Sequence, residues 1–546
     1  MSFARGCTYL FACALSFATA ERADAQAESE KDQIIEDPEL AALSGEEVGS
    51  TDEEQIDDPE LSRSSARANA TTRSETPPPA FTSEARLRLH TRLGLDYLRS
   101  DAREETWENT TIAALELTVR RSESLRFVVG MRARYHFAAL SHDVPDAAAQ
   151  RVELDAAPTA GYADIELARG ANLQLGYQSV HLGRFDLVSA VDVLSVGDFR
   201  DGPATLPDAY EVAQLGARLD YAPTSALSLR VLYVPFFTPH IVSVAESDYA
   251  LVRLSQSQVS SGVSAFGLAN NVLASNLSRT DRERLAESGL AALAPEANLS
   301  SQQAALRATL HGAVGELSFT AATALEHLPA FYFTQAAIDY LRDSRTVEVV
   351  QRFQQTARPI RVEYGRFALL ALDAAIDLSP VSVGFEAAYM FHRTLYSLGT
   401  GSYPDTLPLP DTTDVVQVGS RVEYVRGTEL ATSVEAFGAY AVRTPSASTR
   451  SWVSLERGRY LAGIAAVGGW APDFGLRIAV GVAAMTGFTL VLMPRVGYEL
   501  LENLEIELGS IIIQGPPPPV NVTPHVALGT LYDTTDQVFV GVSYSL

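Results

Sequence analysis

The chain has 546 residues, 42 Lys+Arg against 67 Asp+Glu, a formal net charge of −25 and a mean hydropathy of +0.03. That acidic balance excludes nucleic acid as a partner, because a phosphate binder needs a basic footprint. Beyond the first twenty residues no apolar run reaches the ~18 residues of a membrane helix, and with Lys31 the sole lysine no Gly-Lys-Ser/Thr phosphate loop exists.

Residues 1–25 read as a secretory signal peptide. Arg5 precedes an apolar core from Cys7 to Phe17, followed by two small-x-small exits, Ala18-Thr19-Ala20 and Ala23-Asp24-Ala25. A lipoprotein site at Cys13 fits less well, because Phe11 is too large for it. Both cysteines fall in this segment, so a cleaved chain would have no disulfide, thiolate metal site or cysteine nucleophile. Residues 26–84 read as a disordered acidic periplasmic tail: positions 21–80 hold 17 acids and 5 bases and end in Pro77-Pro78-Pro79. Ile35-Glu36-Asp37-Pro38-Glu39-Leu40 is echoed by Ile56-Asp57-Asp58-Pro59-Glu60-Leu61. The plain interpretation is drift in a spacer; the sharper one is a pair of linear motifs that dock a periplasmic partner.

From residue 85 to 546 the dominant signal is period two. Leu87, Leu89, Leu93 and Leu95 alternate with Arg86, Arg88, His90, Arg92 and Asp96; Phe127, Val129, Met131 and Tyr135 alternate with Arg126, Arg132, Arg134 and His136. Later, Val383, Phe385, Ala387 and Tyr389 alternate with Ser382, Gly384 and Glu386. Alternation this long exceeds the ~5–6 residues of a soluble sandwich strand and suits tilted bilayer crossings of about ten. Such segments start near 85, 111, 125, 161, 172, 212, 226, 304, 316, 361, 381, 414, 430, 458, 474, 489, 504 and 536. Alternate connections are short, and those between are mostly long, the longest from Phe236 to Gln303. The expected fold is all-β: a transmembrane antiparallel β-barrel of about 18 strands (16–18) with long extracellular loops. An even count puts both termini on the periplasmic side. The last strand, ending Tyr544-Ser545-Leu546, looks like the terminal signal that barrel-assembly machinery reads, although Phe is the usual last residue. Thr280-Asp281-Arg282-Glu283 predicts a capped helix through Leu293, and a second is expected over Gln335 to Arg342.

One stretch carries a family resemblance. Gly176-Tyr177-Gln178 through Gly183, then Asp192-Val193, Asp198, Arg200 and Asp201, resemble a strand end and loop of bacterial outer-membrane porin-like barrels related to the alginate-export porins. Leu182 stands where that family has Trp, and Val196-Gly197 where it has Asn-Pro. Leu219-Asp220-Tyr221-Ala222-Pro223 and Pro494-Arg495-Val496-Gly497-Tyr498 look similar too. The resemblance implies an arginine-lined channel for a polyanion.

On the first three strands parity assigns Arg86, Arg88, Arg92, Arg120, Arg126, Arg132 and Arg134, with His90 and His136, to the inward face as pore-lining residues, opposed on those strands by Asp96 and Glu116 alone. Such a wall would favour anions. The competing expectation is that these arginines pair with wall acids such as Glu386, Glu423, Glu435, Glu499 and Glu507, or with an inward-folded loop, since buried charges are normally paired. Asp192, Asp198, Arg200 and Asp201 mark a constriction loop folded into the lumen, either touching solute or pinning the loop to the wall. No catalytic motif occurs, so no enzyme, metal site or cofactor is expected; the nine histidines are scattered. The reading is an outer-membrane porin, in contact with lipid, passing small polar or anionic solutes or polyanions. Its rivals are a plugged structural or adhesive barrel and a transporter of hydrophobic compounds.

Overall fold

The computed structural model describes residues 82–96, 105–122, 124–140, 150–185, 189–200, 211–241, 301–342, 346–356, 360–399, 409–427, 429–447, 450–452, 459–472, 474–486, 489–515 and 536–546. The expected signal, the acidic tail as far as residue 81, the helix from Thr280 to Leu293 and the candidate Asp201 lie outside these residues; positions 82–84, expected in the tail, belong to the first strand. The strands are β1 (Thr82–Asp96), β2 (Glu105–Ser122), β3 (Leu125–Leu140), β4 (Gln150–Ala168), β5 (Ala171–Gln178), β6 (Gln214–Thr224) and β7 (Leu227–Val234). They continue with β8 (Gln303–His311), β9 (Gly315–Leu325), β10 (Ala330–Phe333), β11 (Ile360–Glu363), β12 (Arg366–Leu378), β13 (Val381–Gly399) and β14 (Leu409–Arg426). The last are β15 (Leu430–Ala441), β16 (Arg450–Trp452), β17 (Tyr460–Trp470), β18 (Leu476–Met485), β19 (Thr489–Leu501), β20 (Leu504–Gln514) and β21 (Gln537–Ser545).

All but β10, β11 and β16 join one ring of 18 antiparallel strands, closed where β1 pairs with β21 and Leu89 stands opposite Tyr544. Leu87 and Leu546 exchange backbone hydrogen bonds of 2.9 and 2.8 Å, so the chain's final residue completes the seam. Closure leaves no unpaired edge, which is what lets strands cross lipid. The outward positions are apolar and bare: Leu93 42%, Phe319 51%, Leu508 55% and Leu154 77% exposed. In water such a surface would aggregate; it is the belt of a membrane barrel.

Connections 123–124, 169–170, 225–226, 312–314, 379–380, 427–429, 471–475 and 502–503 are the short ones at one end, where alternation stops. At the other end they are longer, notably 179–213, 235–302 and 326–365, with 486–488 an exception. The period-two pattern places β3, β13, β15, β19 and β20 at their observed starts. Four strands begin three or more residues earlier than it indicates, β1 at Thr82 instead of 85, β2 at Glu105 instead of 111, β4 at Gln150 instead of 161 and β14 at Leu409 instead of 414, and β12 begins later, at Arg366 instead of 361. In β4 a register shift opposite Gly130 and Met131 breaks the alternation; in β2 the polar Asn109 faces outward beside Trp107.

Helix α1 (Gln335–Arg342) lies where expected, and α2 (Val347–Gln355), not anticipated, stacks Phe353 on Tyr340 at 4.3 Å. Both belong to the excursion between β9 and β12.

Candidate functional site: a strap across the lumen

Cross-strand register sets the arginines on a single face. Arg86, Arg88, His90 and Arg92 stand opposite Glu116, Ala114, Ile112 and Thr110. Arg126, Arg132, Arg134 and His136 stand opposite Arg120, Ala114, Ile112 and Thr110. This face is turned away from the exposed Leu87, Leu115 and Val129, hence toward the barrel interior. Burial then divides the set. Arg92, Arg132 and Arg134 are each 1% exposed; Arg92 bonds Glu108 and Arg134 bonds Glu153, both at 2.9 Å. Arg126 bonds Asp164 at 2.5 Å. Arg86, Arg88 and Arg120 are exposed near the short-turn end, Arg86 bonding Glu84 at 2.7 Å.

The count of opposing acids is therefore corrected. Glu108 lies in the early part of β2; Glu153 and Asp155 come from the first half of β4, which the pattern does not disclose, and Asp164 from its second half. Of the acids expected as partners, Glu423 and Glu507 pair instead with Arg421 at 3.1 Å and Arg495 at 3.8 Å.

The connection between β5 and β6 crosses the interior and is fixed at both sides. On one side Arg184 bonds Asp373 of β12 at 2.9 Å and also Glu316 of β9. The Glu386 carboxylate of β13 accepts from the Arg184 N–H (2.9 Å), the Ser189 hydroxyl (2.8 Å) and the Ala190 N–H (2.7 Å). Phe185 lies over Gly384 and Gly419 on β13 and β14, in the space their missing side chains leave. On the other side Arg132 of β3 bonds Asp198 at 3.1 Å. Arg200 bonds Asp198 at 2.6 Å and also Asp155 of β4. Because β13 is eight places from β3 in the ring, the segment is a strap between nearly opposite walls. Its apolar residues Leu182, Val191, Val193 and Leu194 pack with Leu369, Ala388 and Met390 of the inner wall.

Asp198 and Arg200 thus come together as a pin, and the Asp198 side chain is only 3% exposed. Asp192 lies apart from them. Its carboxylate accepts from the Leu182 N–H at 3.2 Å and meets His181 Nδ1 at 3.2 Å, while His181 Nε2 meets Glu211 at 3.1 Å. Burial opposes charge on His181, but bonds to Asp192 and Glu211 outweigh it and push its pKa up to about 10. Burial likewise opposes charge on Arg184 and Arg200, and their carboxylate partners override it, so both are held charged more firmly than usual.

Beyond the strap, the chain brings together two histidines far apart in sequence. His240, after β7, and His327, after β9, have ring centroids 4.8 Å apart. A wall of different character completes the ring: inward Ala465, Ala483, Val491, Met493, Ile511, Ile513 and Phe539 on β17–β21 are 0–1% exposed. Arg92 and Arg495 lie over the Phe539 ring at 5.5 and 5.4 Å. The interior thus has a charged arc running from β1 to β15, which includes Asp373, Glu386 and Glu435, and a largely apolar covered arc over β17–β21 that also holds the Arg495–Glu507 pair.

No family model matches the chain, and no curated protein matches it. Among solved structures it is similar to Acinetobacter baumannii OccAB1, at TM-score 0.44 and 7% identity over 85% of this chain and 96% of that one. It is also similar to Pseudomonas aeruginosa OccK3, at 0.41 and 12% over 85% and 95%. Salmonella typhi OmpF in complex with daunomycin gives 0.38 and 8% over 86% and 98%. Likeness at this level carries nothing about a solute.

Proposed function

We propose that the chain is an outer-membrane channel for passive passage of small polar solutes, its bore set by the strap between β5 and β6. The observation that carries this is the pinning of one segment to both walls of a closed barrel, by Asp198 with Arg132 and by Glu386 with the Ser189 hydroxyl and the Ala190 N–H. A segment tied to nearly opposite walls divides the interior and fixes the narrower space left beside it, and polar groups lining such a constriction select what passes. The apolar belt and an even number of strands support an outer-membrane location with the tail in the periplasm. β21, tied to β1, is the segment for the assembly machinery to engage.

Anion preference, and with it a kinship to alginate-export porins, is the finer part of the proposal. Its support is the exposed group Arg86, Arg88 and Arg120 near the short-turn end; the deeper arginines are compensated by acids. A polar path suits the charged arc. The apolar arc does not favour a route for hydrophobic compounds, since residues 0–1% exposed offer no surface to a passing solute. That covered arc favours one other reading, a barrel closed by its own chain and serving a structural role. Planar-bilayer recording decides: stepwise current with a reversal potential displaced toward the anion supports the channel. Cation preference removes the anionic part, and no current supports the closed barrel.

A further inference from the structure

The strap carries a third fixing point, separate from its two walls. The Gly197 N–H donates to Nδ1 of His240 at 3.0 Å. Gly197 O and Ile241 O accept from Ile241 N–H (3.0 Å) and Phe199 N–H (2.7 Å), and His327 O accepts from the His240 N–H at 3.0 Å. The His327 ring faces two carbonyls, Thr238 O at 3.0 Å and Val193 O at 3.1 Å. Three segments, the strap and the exits of β7 and β9, are therefore knotted through two imidazoles. Phe199 meets the His240 ring edge-on at 4.9 Å, and Phe237 stacks on His327 at 5.4 Å with Tyr364 behind it at 4.8 Å.

A histidine that accepts at Nδ1 must be neutral there. We propose that His240, with His327 against it, is an acid-operated release for the strap: a proton at His240 Nδ1 removes the Gly197 bond and sets an N–H donor against another. The carboxylates nearest the knot are already committed to cations. Asp198 is held by Arg132 and Arg200, Glu326 by Arg393 at 2.7 Å, and Asp192 by His181. His327 adds a like charge when it too is protonated, although its two carbonyls would accept from both of its N–H groups. Burial, then the neighbouring His327, pushes His240 well below the usual histidine range. Burial also lowers His327, its carbonyl contacts opposing this in part. A group whose pKa is lower when the knot is tied than when it is open drives opening as pH falls below ~6.5. The functional consequence, a wider bore in acid, rests on the channel reading; the release itself does not.

Amide hydrogen exchange of the full-length protein in detergent, over Ala190–Arg200, tests it at about pH 7.5 and about pH 5, with intrinsic rates divided out. The expected result is about tenfold more opening in acid for each pH unit of pKa depression covered by that range. The pH dependence should shrink markedly in His240→Gln, which accepts without titrating and leaves only His327 in the knot to titrate, and persist in full in His181→Gln. Equal opening of the wild type at both pH values, or the same acid response in His240→Gln, overturns the proposal; should that variant not fold, the wild-type comparison alone decides. Bilayer current separates the two claims: acid-promoted exchange in a barrel that never conducts would sink the channel and leave the release standing.

Discussion

The Phe185 ring stands 2.8 Å from the position a Cβ on Gly384 would take, and equally close to one on Gly419. The hollow in the β13–β14 wall is thus made by two absent side chains and filled by the strap. Gly384→Val should push Phe185 out. Overpacking of this kind costs about 1–3 kcal/mol, here spent on the strap more than on the barrel, whose ladder stays intact. Heat-modified gel mobility should remain near wild type while channel current becomes larger and noisier. An unchanged current with a much less stable barrel would show that Phe185 supports the wall instead of the strap.

Arg132 and Asp198 form a sealed ion pair, with side chains 1% and 3% exposed. Asp198→Asn leaves Arg132 buried beside a neutral partner, and breaking such a pair typically costs about 3–5 kcal/mol. Arg200 and Asp155 remain to share part of that loss. Equilibrium unfolding in urea with folded micelles should show the loss for Asp198→Asn. The double variant Arg132→Met/Asp198→Leu should recover part of it, because an apolar pair needs no compensation while Arg200 loses Asp198 and keeps Asp155. A double variant as unstable as the single would mean that the charges themselves hold the strap.

His181, its side chain 45% exposed, sits between Asp192 and Glu211. Its folded pKa, about 10, is above the ordinary 6.5. Its stabilising contribution is therefore fully present below ~6.5 and is lost as pH rises through about 10. Solvent screening keeps that contribution small. In histidine-labelled protein, the His181 Cε1–H resonance should hold its imidazolium shift from about pH 6 to about pH 9. A midpoint near 6.5 would show that the clasp is open in solution.

Arg86, Arg88 and Arg120 are the exposed part of the basic face. Replacing all three by Glu should reverse the sign of any reversal potential under a salt gradient, with the effect shrinking as ionic strength rises. Replacing Arg134, sealed against Glu153, should lower stability and leave selectivity alone. Equal effects of the two changes on selectivity would contradict the division between exposed and sealed arginines.

Much of the wall was legible because parity is a local property. Leu87 and Arg86 declare opposite faces by adjacency, and the turns at 169–170 and 502–503 appear where alternation stops. The pairing of the arginines was not legible, since Glu153 and Asp155 lie in the half of β4 where a register shift spoils the pattern. Asp198 and Arg200 were visible as a charged cluster, but whether they meet solute or wall depends on Arg132, 66 residues away from Asp198. The strap's apolar face, Leu182 and Val191–Leu194, has no strand period to announce it. His240 and His327 look scattered in sequence, because β8 and the long connection before it separate them along the chain, while pairing of β7 and β9 on either side of β8 sets their exits side by side. For α2, Val347, Val350 and Phe353 recur every third position after Thr346, a helical signal masked by β-branched residues.

The central claim is that the strap sets the bore of a conducting barrel. Single-channel recording of the wild type beside an Asp198→Asn/Glu386→Gln variant, which weakens one anchor on each wall, tests it most directly. The account predicts discrete steps in the wild type, and larger, less uniform steps in the variant. Silence in both, with each shown to be folded and inserted, would contradict it and leave a barrel closed by its own chain.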